Sequence, residues 1–209
     1  MYTLKEIFYT IQGEGMHTGR AAVFLRFAGC NLWTGHEKHR MSAICTFCDT
    51  DFVGTDGENG GKYEADGLIA VIHSLWPPES GTKPFLVLTG GEPALQIDQD
   101  LINAFHSQGF VISIETNGTL ALPDGIDWIC VSPKSDAPLL VTEGDELKLV
   151  YPQEHALPEK FSHLRFKRFS LQPMDGPEVK KNVQKVIDYC KSNPQWHLSL
   201  QTHKILGIP

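Results

Sequence analysis

The chain has 209 residues, 41% hydrophobic and 21% charged, which suits one domain with a sizeable core and excludes disordered and fibrous classes. Its 18 basic and 25 acidic residues leave a net charge of −7, which excludes a broad surface for nucleic acid or anionic membrane but not a small basic pocket. No apolar run approaches the ~20 residues needed to cross a bilayer, and Met1 to Glu6 shows no basic-then-apolar pattern, so a cytoplasmic protein is expected. Five cysteines, an odd number, point to metal or catalytic use rather than to a disulfide framework.

In chain order, short β-rich runs alternate with segments of helical period, the pattern of β/α units around a parallel sheet. Residues 21–29 read as a first strand. A helix is predicted over Ala65 to Trp76, a strand over Phe85 to Thr89, a helix over Asp98 to Gln108 and a strand over Phe110 to Glu115. Three more strands follow at Trp128 to Ser132, Glu146 to Tyr151 and Phe169 to Gln172, with no helix between them. A helix over Val179 to Lys191 and a strand over His197 to Thr202 complete the set. Too few helices remain for eight full units, so the expected fold is α/β: an incomplete, partly open β/α barrel of about six core strands with reduced helices. Residues 54–61, with four glycines and two acids, read as a mobile surface loop inside a single domain spanning 1–209.

Polar motifs fall just past the ends of the predicted strands: Cys30, Gly90-Gly91-Glu92-Pro93, Glu115-Thr116-Asn117, Ser132-Pro133-Lys134 and Gln172-Pro173-Met174-Asp175. In barrels that edge is where loops converge on an active site. Cys30, Cys45 and Cys48, with no fourth cysteine nearby, suit a [4Fe–4S] cluster with one open iron. On the cysteines alone, a zinc site completed by His36 and His39 is an equal alternative. Cys130, in an apolar strand, and Cys190, on a helix, read as buried and inert. Gly90 and Gly91 would let the backbone approach a ligand closely, although a capped strand-to-helix turn uses the same residues.

A cysteine set after the first strand, a Gly-Gly-Glu-Pro turn after the next and polar residues after later strands together resemble the radical S-adenosylmethionine (SAM) superfamily. The chain departs from the usual Cys-x3-Cys-x2-Cys spacing only in an expanded first gap, residues 31–44, an insertion in the cluster loop. Nearly the whole chain resembles the 7-carboxy-7-deazaguanine synthase family. That likeness rests on Ile11-Gln12-Gly13-Glu14-Gly15, Arg26, Cys45 to Thr50, Thr89 to Pro93, Glu115 to Gly118, Ser132 to Lys134, Gln172 to Asp175 and Gln201 to Pro209.

The resemblance implies conversion of 6-carboxy-5,6,7,8-tetrahydropterin to 7-carboxy-7-deazaguanine with loss of ammonia, on the route to queuosine and other deazapurines. A 5′-deoxyadenosyl radical would abstract hydrogen from C6, and SAM would be regenerated after ring contraction. It also implies the site. Cys30, Cys45 and Cys48 would hold the cluster, with Phe47, Gly90, Gly91, Glu92, Ser132, Pro133, Lys134, Gln172, Pro173, Met174 and Asp175 around SAM. Ile11, Gln12, Gly13, Glu14, Arg26, Thr89, Glu115, Asn117, His203 and Pro209 would surround the pterin. The chemistry agrees: Gln12, Glu14, Glu115 and Asn117 can read a donor and acceptor edge, and Arg26 offers a fork for a carboxylate. Thr50 would carry Mg²⁺, with Asp49 as the competing ligand. A homodimer and an electron donor such as flavodoxin or ferredoxin are implied partners. The rival readings are a radical SAM activase acting on a partner protein and a zinc-bound, non-catalytic domain.

Overall fold

Strand β1 (Tyr2–Ile11) runs antiparallel to β2 (Ala21–Phe27), and the short β3 (Gly61–Tyr63) pairs antiparallel with the outer edge of β1. In this computed structural model, which describes residues 1–209, β2 is then followed across the sheet by β4 (Phe85–Gly90), β5 (Val111–Thr116), β6 (Trp128–Val131), β7 (Glu143–Tyr151), β8 (Arg165–Pro173) and β9 (Trp196–Leu198), all parallel. The sheet has nine strands in the order β3-β1-β2-β4-β5-β6-β7-β8-β9 and does not close on itself. The partly open barrel expected from the sequence is therefore present.

Only three crossovers carry full helices: α1 (Ala65–Leu75) leads into β4, α2 (Gln99–Ser107) joins β4 to β5, and α3 (Val179–Ser192) joins β8 to β9. Between β6 and β8 there are loops and one 3-10 turn at Pro158–Lys160, as the missing helical period foretold. Strand alternation decides the layers. Leu86 and Leu88 of β4 and Ile112 and Ile114 of β5 pack outward against Leu68 and Ile72 of α1 and Leu101, Ile102 and Phe105 of α2. Leu147 and Leu149 of β7 and Leu171 of β8 form a second core with Val186 of α3. The intervening positions, Glu146, Lys148, Ser170 and Gln172, are buried and polar, which makes the concave face of the sheet a site rather than a core. Asp98 caps α2 by accepting from the Leu101 N–H at 2.9 Å, and Tyr2 Oη donates to the same carboxylate at 2.8 Å.

Several boundaries differ from expectation. Strand β1 gave no clear signal because Lys5 and Glu6 interrupt its apolar run, where the register with β2 shifts between Leu4 and Glu6. The first predicted strand, residues 21–29, is thus β2 and ends at Phe27. The predicted strand His197 to Thr202 stops at Leu198, and the chain turns into a short helix α4 (Thr202–Leu206), because the Thr202 N–H and hydroxyl both donate to the Gly13 carbonyl at 2.9 Å. Residues 54–61 are fastened to β1 instead of standing free. The Ile7 N–H donates to Glu58 O at 2.7 Å, and Lys5 Nζ pairs with Asp51 at 2.8 Å and Asp56 at 2.7 Å. No helix is long and apolar enough to cross a membrane.

Candidate active site

At the carboxyl ends of the parallel strands lies a cleft of two chambers. The first, with about 980 Å³ of empty space, is lined by Cys30, Cys45, Phe47, Cys48, Gly90, Gly91, Asn117, Ser132, Lys134, Gln172, Met174 and Asp175. The second, with about 950 Å³, is lined by Ile11, Gln12, Gly13, Arg26, His203 and Pro209, together with Lys5, Glu6 and Lys204. Glu14, Asp49, Thr50, Thr89, Glu115, Lys148 and Gln201 belong to both and form the shared wall. Three of the expected residues line neither chamber, Glu92, Pro133 and Pro173, and Asn117 lies on the cysteine side rather than in the second chamber.

The three cysteines arrive from one loop after β2. Within its inserted segment a 3-10 turn, Glu37–Ser42, presents Arg40, whose guanidinium donates to the carbonyls of Thr46 and Cys48 at 3.0 Å each and lies 4.0 Å over the Trp33 ring. The insertion thus braces the Cys45–Cys48 turn from outside. The Leu32 N–H points at Cys30 Sγ (3.4 Å). The hydrogen bond between Cys45 and Cys48, followed by burial, pushes the Cys45 thiol far up, and the same bond pulls Cys48 down to about 6. No histidine lines this chamber, and His39 Nδ1 is paired with Thr34 Oγ1 at 2.8 Å. No three His, Cys, Asp or Glu side chains gather around a single-ion position. The donor set therefore fits an all-thiolate inorganic core with room beside it, and not a zinc site completed by His36 and His39.

Gly90 (φ +129°) and Gly91 are needed for a reason that the sequence did not reveal. A Cβ on Gly91 would overlap the Gly29 carbonyl and come within 3.0 Å of Cys30 Cβ, so the turn and the cysteine loop touch backbone to backbone. Glu92 is fully buried behind this turn. Its carboxylate accepts from Thr116 Oγ1 at 2.8 Å and from the N–H groups of Asn117 and Ala94 at 2.7 and 3.0 Å. It locks the ends of β4 and β5 together, and burial nevertheless raises its pKa.

On the shared wall, Lys148 Nζ bridges Glu14 at 2.7 Å and Glu115 at 2.9 Å. Burial alone would raise the Glu14 carboxyl, but the charge and hydrogen bond of Lys148, with a hydrogen bond from Gln201, pull it down to about 2. Glu115 stays raised, because burial and the Glu14 charge outweigh the attraction of Lys148. The signs oppose. Glu14 stabilises the fold above its ordinary value of 4.5 and loses that contribution as pH falls towards 2, whereas Glu115 favours the fold in its protonated form and penalises it as pH rises.

The C-terminal segment closes the second chamber. Gln201 donates to Glu14 Oε1 at 2.9 Å, Lys204 pairs with Asp49 and Asp175 at 2.6 Å each, and Thr10 Oγ1 donates to Pro209 O at 3.2 Å. A Cβ on Gly13 would come within 2.8 Å of the His203 backbone nitrogen. Gly13→Ala is therefore expected to lift the segment and raise KM for the substrate of this chamber about tenfold, the scale of an overpacked contact, while chemistry confined to the first chamber persists. Steady-state kinetics with both readouts checks this.

Lys148, Gln201 and Lys204 were missed as site residues. Lys148 had a signal, a charged residue at an alternate position of a strand whose neighbours Leu147 and Leu149 are fully buried. Gln201 and Lys204 lay in the C-terminal segment that carried the family likeness, but their roles had no signal, because their partners Glu14, Asp49 and Asp175 are distant in sequence.

Three cysteines beside a glycine turn, set at the mouth of a partly open β/α barrel, define a radical SAM enzyme, whose cofactors are a [4Fe–4S] cluster and SAM. No family model matches the chain. Curated proteins do. The 7-carboxy-7-deazaguanine synthase of Caulobacter vibrioides is 59% identical over 209 residues, covering 100% of this chain and 99% of the relative, and that of Bradyrhizobium diazoefficiens is 61% identical over 208 residues, covering 99% of each. The crystal structure of QueE from Escherichia coli superposes with a TM-score of 0.73 at 26% identity, over 95% of this chain and 93% of that one. The chain belongs to the 7-carboxy-7-deazaguanine synthase family.

Proposed function

We propose that this chain carries out the reaction of its family on a pterin: 6-carboxy-5,6,7,8-tetrahydropterin becomes 7-carboxy-7-deazaguanine with loss of ammonia, in queuosine and 7-deazapurine biosynthesis. The observation that carries this reading is the shared wall, since a ligand in the second chamber lies against the chamber of the cysteines. When bound, the cluster and SAM supply hydrogen-atom abstraction from C6 and its later return. The protein's own residues bind, orient and enclose.

Cys30, Cys45 and Cys48 are read as the ligands of three irons. Phe47, Gly90, Gly91, Ser132, Lys134, Gln172, Met174 and Asp175 face SAM, with Glu92, Pro133 and Pro173 holding those turns from behind. Gln172 supports this by its fixed orientation, its Oε1 accepting from Ser199 Oγ at 2.9 Å. In the second chamber, Gln12, Glu14 and Glu115 read the polar edge of the pterin, and Ile11, Gly13, Thr89, His203 and Pro209 bound it. Asn117 acts from the cluster side. Thr50 is the protein ligand of Mg²⁺; in support, the Asp49 carboxylate is already engaged by Lys204 at 2.6 Å and Gln201 at 3.1 Å, whereas magnesium needs few protein oxygens. The same reading takes residues 1–209 as one domain, and includes a homodimer, a flavodoxin or ferredoxin as electron donor, and a cytoplasmic location.

Arg26 is the cation for the pterin carboxylate. Only its Nε is taken by a protein acceptor, Glu6 at 2.7 Å, so its terminal nitrogens are left for a bidentate ligand. Arg26→Ala is expected to raise KM for the pterin about 10- to 100-fold, the scale of a lost charge-assisted hydrogen bond, while SAM cleavage without product survives. Equal loss of both would make Arg26 a structural partner of Glu6. The whole assignment is tested by incubating the anaerobically reconstituted protein with SAM, reductant and carboxytetrahydropterin. Ring-contracted product with SAM recovered is expected; SAM cleavage without that product would sink the substrate assignment.

A further inference from the structure

Lys148 has no part in the roles above, yet it lies at the centre of the shared wall. Its side chain is 5% exposed, and its ammonium joins Glu14, from the turn after β1, to Glu115, from the end of β5. All three side chains line both chambers. A pair of carboxylates presents acceptors only, so it welcomes N–H donors and repels carbonyl lone pairs. Resting on the pterin reading of the second chamber, we propose that Lys148 is a positioning residue that clamps Glu14 and Glu115 into one hydrogen-bond-accepting face. That face sets the chamber's preference for a heteroaromatic edge bearing an amino group beside a ring N–H over an edge bearing a carbonyl there.

The charged and titratable surroundings are few. Glu14 and Glu115 face the ammonium directly, Cys130 of β6 lies against Glu115 and Lys148, and His203 of α4 feels the charges of both Glu14 and Lys148. Glu146, on the same strand as Lys148, acts on Glu115 and Cys130. It is otherwise occupied by Ser170 Oγ, the Met16 N–H at 3.0 Å and Arg168 at 3.8 Å. Lys148 is thus the one cation in contact with both carboxylates. Without it, only the Gln201 hydrogen bond to Glu14 opposes burial and mutual repulsion at close range, and the pair takes up a proton as pH falls. A protonated carboxyl donates as well as accepts, and the preference for a donor edge is lost.

The test uses the reconstituted protein with SAM but without reductant, so that no turnover occurs. Equilibrium binding of 6-carboxypterin, which has the 2-amino edge, and 6-carboxylumazine, which has a 2-oxo edge, is read by ligand fluorescence across the pH range that the protein tolerates. Wild type is expected to favour carboxypterin by about 100-fold or more, as a buried site does when an analogue leaves its polar groups unmatched. Lys148→Met is expected to bring that ratio within about tenfold and to make it fall with decreasing pH, while Lys148→Arg keeps most of it. The pH dependence should persist in Lys148→Met/His203→Gln, which removes the neighbouring imidazole. If Lys148→Met does not fold, Lys148→Gln, which keeps a polar side chain but no charge, is predicted to lower the ratio and make it fall with decreasing pH likewise. A wild-type ratio in Lys148→Met or, where that variant does not fold, in Lys148→Gln, or an equal loss in Lys148→Arg, overturns the clamp. Failure of the wild type to bind carboxypterin overturns the pterin reading itself, so the two failures are distinguishable.

Discussion

Replacing Cys45 with alanine is expected to abolish SAM cleavage and to leave the purified protein without its full complement of iron and sulfide. The structure gives a reason to expect this loss without general unfolding. Cys45 lies at the end of the inserted segment, where Arg40 holds the Thr46 and Cys48 carbonyls at 3.0 Å, and none of those contacts uses the Cys45 sulfur. Alanine removes one ligand and leaves the loop in place, and two thiolates cannot hold three irons of a cubane. Iron and sulfide analysis, visible absorbance and deoxyadenosine release measure the outcome. A His36→Ala/His39→Ala variant should keep cluster and activity, because neither ring lines the cysteine chamber. Loss of metal in that variant, with zinc and no sulfide in the wild type, would return the zinc reading.

Gly91→Ala carries the second large effect. The added methyl would overlap the carbonyl of Gly29, which already accepts the Glu92 N–H at 2.9 Å, while the Gly91 N–H donates to Phe27 O at 3.2 Å. Both sides of the clash are backbone, so no side-chain rotation relieves it, and an overpacked site of this kind costs about 3 kcal/mol. The strain falls on the turn that would face SAM and on the residue before Cys30. The apoprotein should lose stability to urea by about that amount, and the reconstituted protein should bind SAM at least tenfold more weakly. Unchanged urea stability together with unchanged SAM affinity would show that the turn tolerates a Cβ.

The parallel core strands, their order of appearance, the three helices and the helix-free stretch from Trp128 to Gln172 were legible in the sequence, because periodicity is a local property that burial on one face imprints directly. So was the candidate site. Cys30, the Gly90 turn and the residues after β5, β6 and β8 all sit at strand ends, and parallel strands put those ends at one edge. The cofactor class and the family followed from motifs of that kind. What short-range pattern could not supply were the contacts that join distant segments. The antiparallel start was hidden where Lys5 and Glu6 break its alternation, and Lys5 turned out to fasten residues 51–56 to β1. The reason for Gly91 lies in the carbonyl of Gly29, far earlier in the chain, and the fate of the last residues lies in Gly13. Lys148 is the clearest case. One buried charge in a strand says little, since its meaning depends on which charges the fold brings within 3 Å of it. Local chemistry thus determined what kinds of groups stand at the mouth of the barrel, while chain closure over long separations decided how Lys148 couples Glu14 to Glu115 there, because Coulombic coupling depends on distance in space and not along the sequence.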